Sequence, residues 1–320
     1  MEVAERMREF TSFIVMDVME AAERLEHAGK RVVHLEVGEP DFDPPRPVME
    51  EMERALREGR THYTHSLGIR ALREAIAQRY ARRYGVEVSP DRVCVTTGSS
   101  AAFLLVFAAL LNPGDGVAMT DPGYPCYPNF ARFVAARPVL VPVSAREGFR
   151  LTPAALQAVD PRGLKAFMIS SPSNPAGTVT LRETYQAILA RGHILISDEI
   201  YHGLVYGGVR EFTALELSDQ AIVVDGFSKR YAMTGCRLGW LVVPPELARP
   251  VNRLAQNLYI SPPTLSQYGA LAALQHGDSY VGAMRDEYAM RHRLLVDGLR
   301  SLGFGISHEP EGAFYVFADI

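Results

Sequence analysis

The chain has little cysteine and no long hydrophobic run, and both shortages narrow the class of protein. Its three cysteines, Cys94, Cys126 and Cys236, stand alone in the sequence and are odd in number. That pattern argues against a disulfide framework or a cysteine-based metal site, and it fits a reducing cytoplasm. No hydrophobic run is long enough to span a bilayer, and the charged first ten residues do not resemble a secretory signal. These features predict a cytoplasmic protein.

Excess positive charge and nucleotide-binding motifs are also lacking. The formal net charge is −4, which gives no basic surface for nucleic acid. No GxGxxG motif follows a strand-like run and no GxxxxGK(S/T) motif occurs, so dinucleotide and P-loop sites lack support. The nine histidines show no HExxH spacing, and no metal site is predicted.

What the chain does contain is an alternation of strand-like and helix-like segments. Strands are predicted at 92–96, 116–120, 138–143, 164–170, 193–197, 221–226 and 238–243. Helices are predicted between them, at 100–111, 125–136, 153–159 and 181–191. Strands that alternate with helices predict an α/β fold, with a mostly parallel sheet of the seven-stranded type and helices on both faces.

The two chain ends have a different pattern. Helices are predicted at 11–28, 48–57, 69–84 and 279–302, and further helices follow residue 246. Short strands are predicted at 31–35, near 306 and at 313–319. We therefore expect a large domain of residues 45–280 and a smaller α/β domain built from both chain ends, residues 1–44 and 281–320.

Polar side chains close several of the hydrophobic runs, and Lys229 is the most informative of them. Lys229 follows the run 223–227, and Arg237 comes eight positions later. A reactive lysine amine must be held still and partly desolvated, and a nearby arginine can bind a phosphate. Asp198 and Tyr201 follow another run, and Asn174 lies in a Ser-Asn-Pro stretch. Each residue also has a simpler explanation when it is considered alone. Lys229 could be a surface lysine, Asp198 an acidic residue of a loop, and Asn174 part of a turn. Because ligands bind at the carboxyl ends of strands in such folds, the ordered set predicts a site for pyridoxal phosphate.

The chain resembles the class I/II aminotransferases, which belong to the fold-type-I group of pyridoxal-phosphate enzymes. The matching stretches cover nearly the whole chain in family order, at 35–42, 63–64, 68, 72–73, 97–100, 121–125, 173–177, 198–201 and 227–240. The resemblance implies an enzyme that transfers an amino group between an L-amino acid and a 2-oxo acid through a lysine Schiff base with pyridoxal phosphate.

The resemblance also implies a role for each residue around the cofactor ring. Lys229 forms the Schiff base and then moves the proton of the reacting substrate. Asp198 pairs with the pyridine nitrogen and keeps it protonated. Tyr201 and Asn174 donate hydrogen bonds to the phenolic oxygen of the ring. Tyr124 stacks on the ring face, although an aromatic residue of the core fits the sequence there too.

The phosphate and the substrate have implied partners of their own. Ser99 and Ser100 offer backbone N–H groups at the start of a helix, and Ser228 and Arg237 complete the phosphate site. A surface ion pair is the alternative role for Arg237. Gly38, together with Asn174, is expected to contact the substrate.

Tyr63 resembles the tyrosine that reaches across a homodimer to the phosphate of the neighbouring chain. The alternative for Tyr63 is a packed aromatic side chain before the helix predicted at 69–84. The resemblance implies that each active site needs two chains, and we expect a homodimer.

Two positions depart from the commonest family pattern. Gly226 lies where many members have a serine that contacts the phosphate. Ser100 lies where aspartate-specific prokaryotic members have a lysine for the side-chain carboxylate. An amino donor with a hydrophobic, aromatic or small side chain is therefore at least as plausible as aspartate.

Two other functions remain open on the same cofactor. One is a C–S β-lyase, because a fold does not fix the reaction that it hosts. The other is a non-catalytic or catalytically impaired pyridoxal-phosphate-binding protein. The family normally continues beyond the run 313–319 with further strands and an arginine for the substrate carboxylate. We therefore expect residues 1–320 to bind the cofactor and to turn over substrate weakly.

Overall fold

The computed structural model describes residues 1–320, which form seven strands and ten α-helices. The strands are β1 (Val93–Thr96), β2 (Gly116–Asp121), β3 (Arg137–Pro142), β4 (Leu164–Ser170), β5 (Ile194–Asp198), β6 (Ile222–Gly226) and β7 (Gly239–Val242). The helices are α1 (Ile14–His27), α2 (Arg46–Arg57), α3 (Arg70–Tyr84), α4 (Ser99–Leu110), α5 (Cys126–Phe133), α6 (Pro153–Gln157), α7 (Arg182–Ala190), α8 (Pro245–Leu258), α9 (Thr264–His276) and α10 (Asp278–Ser301).

All seven strands lie in one sheet, in the order β1-β7-β6-β5-β4-β2-β3. The pairs among β2, β3, β4, β5 and β6 are parallel, whereas β7 runs antiparallel to both β1 and β6. Six strands therefore point the same way, and the carboxyl ends of those six lie at one edge of the sheet. The prediction of a mostly parallel seven-stranded sheet in an α/β fold is confirmed.

Helices cover both faces of the sheet because the central strands are hydrophobic on both faces. Every residue of β6 is buried, and neighbouring residues such as Val223 and Val224 belong to two separate hydrophobic clusters. One cluster contains side chains of α3, α7 and α9, and the other contains side chains of α4 and α8. Such two-sided cover is typical of parallel sheets.

The two chain ends meet beside the large sheet. The ring of Phe42 packs edge to face against Tyr288 of α10, with ring centroids 5.2 Å apart. Arg291 of α10 forms an ion pair with Asp41 at 3.1 Å. The Tyr280 hydroxyl donates a hydrogen bond to the Asp43 carbonyl at 2.6 Å. The segment before residue 44 is therefore attached to α10.

Some predicted elements of the chain ends are not formed. Residues 31–35 and 313–319 contain no regular strand, and only isolated bridges pair Val205 with Gly312 and Gly305 with Asp319. A strand is stable when neighbouring strands satisfy its backbone groups, and neither segment lies beside one. Helix α5 also ends at Phe133, before the predicted 136, because Ala135 takes a left-handed backbone conformation with φ of 59°. None of the ten helices combines the length and the hydrophobicity needed to cross a membrane.

Candidate active site

The carboxyl-terminal edge of the sheet gathers most of the predicted site residues. Asp198 is the last residue of β5, and Lys229 follows the end of β6 by three residues. Arg237 precedes β7, which begins at this edge because it runs in the opposite direction. The sheet topology therefore brings residues that are far apart in sequence to one edge, where α/β sheets bind their ligands.

A cavity of about 410 Å³ opens at this edge and is lined by nineteen residues. Seven of them are predicted site residues, namely Gly38, Ser99, Tyr124, Asn174, Asp198, Tyr201 and Lys229. The other predicted residues, Ser100, Ser228, Arg237 and Tyr63, do not line it. A volume of this size is within the range of small-molecule sites.

Lys229 is the only positively charged residue that lines the cavity. Burial lowers the pKa of its amine to about 8; the Arg237 charge acts in the same direction, and Glu39 and Asp198 oppose it. The Lys229 Nζ donates a hydrogen bond to the carbonyl of Gly38. An amine with this pKa is roughly one-tenth neutral at pH 7, which gives it usable basic and nucleophilic character.

Asp198 is held in one orientation by two hydrogen bonds. The Tyr127 hydroxyl donates to its Oδ2, and the backbone N–H of Ile200 donates to its Oδ1 at 3.1 Å. Burial raises the pKa of Asp198 to about 6, while these hydrogen bonds and the charge of Lys229 limit the rise. The carboxyl is therefore mostly ionised at neutral pH, although the residue is only 4% exposed.

Tyr201 lies beside Asp198 and faces a second tyrosine. The hydroxyl oxygens of Tyr201 and Tyr315 are 2.6 Å apart. Burial raises the pKa of Tyr201 well above its usual range and that of Tyr315 to about 12. Both phenols therefore keep their protons at neutral pH and can donate hydrogen bonds.

The side chain of Arg237 packs against the start of α4. Gly98 precedes the helix with φ of 85°, and a Cβ at this position would lie 2.7 Å from the Arg237 Nη2. The guanidinium therefore packs against the turn whose N–H groups begin the helix, near Ser99 and Ser100. A helix N-terminus and an arginine both attract negative charge. Ser228 is buried in the adjoining turn after β6.

Tyr63 is not part of the site within one chain. Its side chain is 77% exposed and does not line the cavity. The backbone beside it is attached to α9, because the Thr264 hydroxyl donates a hydrogen bond to the His62 carbonyl at 2.7 Å. Tyr63 is therefore not a packed aromatic residue within one chain, and that alternative is wrong.

Two further tyrosines belong to the site, and sequence reasoning missed both. Tyr127 bonds Asp198, and Tyr315 bonds Tyr201. The spacing of Tyr127 three residues after Tyr124, at the start of α5, is a signal that both face the same way. Tyr315 offered no such signal, because its contact with Tyr201 joins segments 114 residues apart.

The cavity wall contributed by residues 13–37 was also missed. Five residues line the cavity there, namely Phe13, Val15, Met16, Glu36 and Val37. Each of the five is half-buried or exposed, and we call this part of the wall the mouth. The Phe13 ring meets Tyr124 edge to face, with centroids 5.9 Å apart. An amphipathic helix predicts a hydrophobic face but not which cavity that face covers.

A buried group of ionisable residues lies next to the site. The Asp225 Oδ2 is 3.5 Å from the Arg79 Nη1, and its Oδ1 accepts a hydrogen bond from the Gly226 N–H at 2.6 Å. Glu199, next to Asp198, accepts from the Ala214 N–H at 2.9 Å. Burial raises the pKa of Asp225 to about 7 and that of Glu199 to about 8. These contacts hold the ends of β5 and β6, the strands that carry Asp198 and Lys229.

Comparisons with known proteins identify the family of this chain. The sequence profile described as "Aminotransferase class I and II" matches residues 30–320. The (5-formylfuran-3-yl)methyl phosphate transaminase of Methanocaldococcus jannaschii is 40% identical over 99% of this chain and 84% of its own length. The valine–pyruvate aminotransferase of Mycobacterium tuberculosis is 43% identical over 96% of this chain and 81% of its own length.

Solved structures give the same result. A crystal structure of an aminotransferase from Mycobacterium tuberculosis superposes with a TM-score of 0.95 at 42% identity, covering 100% of this chain and 84% of that one. The aspartate aminotransferase of Thermus thermophilus with maleate has a TM-score of 0.95 at 34% identity, covering 100% and 85%. These relatives are named as aminotransferases or transaminases, and they give no support to the β-lyase alternative. The chain is an aminotransferase and belongs to the class I and II aminotransferase family.

Proposed function

We propose that the cavity binds pyridoxal phosphate and that the enzyme transfers an amino group from an L-amino acid with a hydrophobic side chain to a 2-oxo acid. The observation that carries the proposal is that Lys229 and Asp198, from the ends of adjacent strands, face one cavity and influence each other's pKa. When bound, the cofactor supplies an electron sink for the negative charge that develops at the substrate α-carbon.

The residues present fit the two ends of this cofactor. The Arg237 guanidinium against the start of α4 suits a phosphate, which needs positive charge and N–H donors. Asp198, fixed by Tyr127 and the Ile200 N–H, suits a protonated ring nitrogen at the buried end of the cavity. The ring would lie between these ends, beside Tyr124 and Tyr201.

Lys229 and Asp198 divide the proton chemistry between them. A neutral Lys229 Nζ can take the proton from the substrate α-carbon and return it, because its pKa of about 8 lies near neutral pH. The ionised Asp198 carboxylate can hold a proton on the ring nitrogen by charge and hydrogen bonding. Ser228, Ser99, Ser100 and Asn174 would orient the bound group.

The attachment residue can be tested directly, because the chain has only three lysines, Lys30, Lys165 and Lys229. Borohydride reduction of the cofactor-loaded protein followed by peptide mapping should place the pyridoxyl group on Lys229. Lys30 and Lys165 are exposed and serve as internal controls. A label spread over all three lysines, or absent from Lys229, would overturn the proposed site.

The preference for hydrophobic donors is supported by the lining of the cavity. Ten of the nineteen lining residues are hydrophobic, and the charged ones are Glu36, Asp198 and Lys229. Since Asp198 and Lys229 face the reacting centre, Glu36 is the charge left at the mouth. Glu36 lies 2.7 Å from His34, which offsets part of its charge. The remaining negative charge disfavours an acidic substrate side chain, and Phe13, Val15 and Met16 favour a hydrophobic one.

A half-reaction screen tests the substrate class. Single amino acids are mixed with the enzyme, and the absorbance change of the cofactor gives the rate of amino-group uptake. Valine, leucine or alanine should react at least about tenfold faster than aspartate or glutamate. Glu36→Gln should raise the rate with aspartate and leave that with valine nearly unchanged. Aspartate reacting fastest with the wild-type enzyme would contradict the assignment.

We also propose that the active protein is a homodimer in which Tyr63 reaches the phosphate site of the partner subunit. Tyr63 is exposed in one chain. The exposed hydrophobic side chains of Leu258 and Ile260 lie next to Ser261, whose hydroxyl oxygen accepts a hydrogen bond from the N–H of the neighbouring Thr64 at 3.4 Å. A second copy of the chain would cover this surface.

Mixed dimers test whether sites are shared. Tyr63→Phe and Lys229→Ala chains are mixed, dissociated and reassembled. If Tyr63 acts across the interface, each hybrid contains one site with both native residues, and the mixture should be more active than the Tyr63→Phe protein diluted to the same concentration of that chain. Activity no higher than that of the diluted Tyr63→Phe protein would show that the sites are not shared.

We further propose a division into domains and a cytoplasmic location. Residues 1–44 and 281–320 form one unit beside a large unit of residues 45–280, which the contacts of Phe42 and Asp41 with α10 support. A cytoplasmic location is supported by three cysteines that form no disulfide.

A further inference from the structure

Two phenols meet at the wall of the cavity. The hydroxyl oxygens of Tyr201 and Tyr315 are within hydrogen-bonding distance at 2.6 Å, and the rings meet edge to face at 5.7 Å. Both side chains line the cavity. Because each phenol has a single proton to donate, the direction of this bond decides whether the Tyr201 proton is available to a ligand.

The segment that carries Tyr315 is attached to the loop that carries Tyr201. The N–H of Ala313 donates to the Leu204 carbonyl at 2.8 Å, and the Tyr206 hydroxyl donates to the Ala313 carbonyl. Ala313 is fully buried. The position of the Tyr315 ring is therefore set by backbone contacts with the same loop, so that the two phenols are held together as one unit.

Gly38 makes room for Tyr315. A Cβ at position 38 would lie 2.0 Å from the Tyr315 hydroxyl oxygen and 2.7 Å from two of its ring carbons. The carbonyl of Gly38 accepts the hydrogen bond of Lys229 Nζ. The absence of a side chain at position 38 thus lets Tyr315 reach Tyr201 while the same residue contacts the reactive lysine.

We propose that Tyr315 is a positioning residue: its hydroxyl donates to the Tyr201 oxygen and so directs the Tyr201 proton into the cavity. The inference rests on the proposed function, because the group that would receive this proton is the phenolic oxygen of pyridoxal phosphate. Tyr315 then acts on the cofactor through Tyr201 and not by direct contact.

The sign of the effect follows from charge. A hydrogen bond donated to the phenolic oxygen stabilises its anionic form, and this favours loss of the proton shared with the nitrogen joined to Lys229. Without the Tyr315 hydroxyl, the O–H bond of Tyr201 is free to rotate, and Tyr201 donates a weaker hydrogen bond to the ligand. The pKa seen in the absorbance of the bound cofactor should therefore rise, by about 0.5–1 unit for one hydrogen bond.

The test is an absorbance titration of the cofactor-loaded protein between pH 5 and pH 10. Tyr315→Phe should raise the pKa, and Tyr201→Phe should raise it more. In the Tyr201→Phe background, adding Tyr315→Phe should cause no further change, because the route through Tyr201 is already lost. An unchanged or lowered pKa in Tyr315→Phe overturns the inference, and so do additive shifts, which would mean direct action on the ligand.

Two more variants separate positioning from packing. Tyr288→Phe removes a hydroxyl from the same cluster, since its ring packs near Phe314 at 5.3 Å, and it should leave the pKa unchanged. Gly38→Ala places a methyl group where the Tyr315 hydroxyl lies and should reproduce the shift of Tyr315→Phe. A lower melting temperature of cofactor-free Tyr315→Phe with an unchanged pKa would indicate a packing role and contradict positioning. If the wild-type protein showed no cofactor absorbance, the proposed function itself would be contradicted. If the wild type bound the cofactor and Tyr315→Phe showed the same pKa, the proposed function would stand and only this inference would be contradicted.

Discussion

The floor and the cover of the active site are built in opposite ways. The floor consists of Asp198 at the end of β5 and of Tyr201 and Lys229 in the segments that follow β5 and β6. Strand β6 is buried along its whole length. The cover consists of residues 11–38, and Ala22 is the only buried residue of its helix α1. The cover is attached by scattered contacts, such as Asn129 Nδ2 donating to the Thr11 carbonyl at 3.1 Å.

The difference separates two tasks of the enzyme. Groups that perform proton transfer must be held within a few tenths of an ångström, and buried strand ends with fixed hydrogen bonds do this. Groups that admit and recognise a substrate must be able to move, and regions with little buried hydrophobic surface open at low free-energy cost. Changes to the floor should therefore alter the chemical step, whereas changes to the cover should alter substrate selection and local opening.

The largest effect is expected for Lys229. Lys229→Ala should lower the transamination rate by several orders of magnitude, because one amine both attaches the cofactor and moves the substrate proton. Binding of pyridoxal phosphate should survive, since the proposed phosphate site at α4 is untouched. The measurement is a single-turnover rate together with a cofactor titration. Lys165→Ala is the matched control and should behave like the wild type, and a Lys229→Ala rate within tenfold of wild type would remove Lys229 from the chemistry.

Asp198 should have the next largest effect on rate. Asp198→Asn removes the charge that would keep the ring nitrogen protonated, and we expect a half-reaction roughly 10²–10³-fold slower. Asp198→Glu keeps the charge and should retain more activity. Stopped-flow rates with one hydrophobic amino acid compare the three proteins. Wild-type turnover by Asp198→Asn would show that this acid is only a structural residue.

The same substitution should stabilise the cofactor-free protein at neutral pH. Burial raises the folded-state pKa of Asp198 from 3.8 to about 6, so its contribution to stability is present below pH 4 and lost as the pH rises through 6. Asparagine stays neutral but loses one of two hydrogen bonds, which leaves a net gain of about 1–2 kcal/mol at pH 7. Melting temperatures at pH 4 and pH 7 check this. A gain of equal size at both pH values would contradict the electrostatic cause.

The floor was more predictable from sequence than the cover, and the reason is physical. The ends of β5 and β6 are marked by hydrophobic runs that stop at Asp198 and near Lys229, and the parallel topology then brings the two together. The fit of Phe13 and Tyr315 depends on how loops pack, and no periodic pattern encodes that. The predicted strands at 31–35 and 313–319 failed for a related reason, since a strand-forming composition cannot supply the neighbouring strand that it needs.

A moderate effect on substrate selection is expected for the cover. Phe13→Ala removes a ring from the mouth and its contact with Tyr124, a pair worth about 0.5–1.5 kcal/mol. The catalytic efficiency with leucine should fall by about two- to tenfold, while the rate at saturating leucine changes little. Phe133→Ala removes a half-exposed phenylalanine at the other end of α5 and serves as the control. If the rate at saturating leucine fell as much as the catalytic efficiency, Phe13 would act on the chemical step, as the residues of the floor do.

The smallest effect is expected for His34, which joins two parts of the cover, the helix α1 and the segment that contains Glu36. His34 Nδ1 lies 2.7 Å from Glu36 at the cavity wall, and His34 Nε2 lies 3.1 Å from Glu26 of α1. The two glutamates raise the pKa of His34 above its usual 6.5, chiefly through the hydrogen bond with Glu36. Because the pKa of His34 is raised in the folded protein, the stabilisation by these ion pairs is complete below pH 6.5 and is lost as the pH rises through the folded-state pKa.

Hydrogen exchange of residues 14–27, corrected for intrinsic rates, should therefore show about twofold better protection at pH 6 than at pH 8. His34→Gln should abolish this difference, and His276→Gln, at an exposed histidine of α9, should keep it. A pH dependence that persists in His34→Gln would show that the cover is not held by this histidine, and the contrast between a fixed floor and a cover attached by surface charges would have to be redrawn.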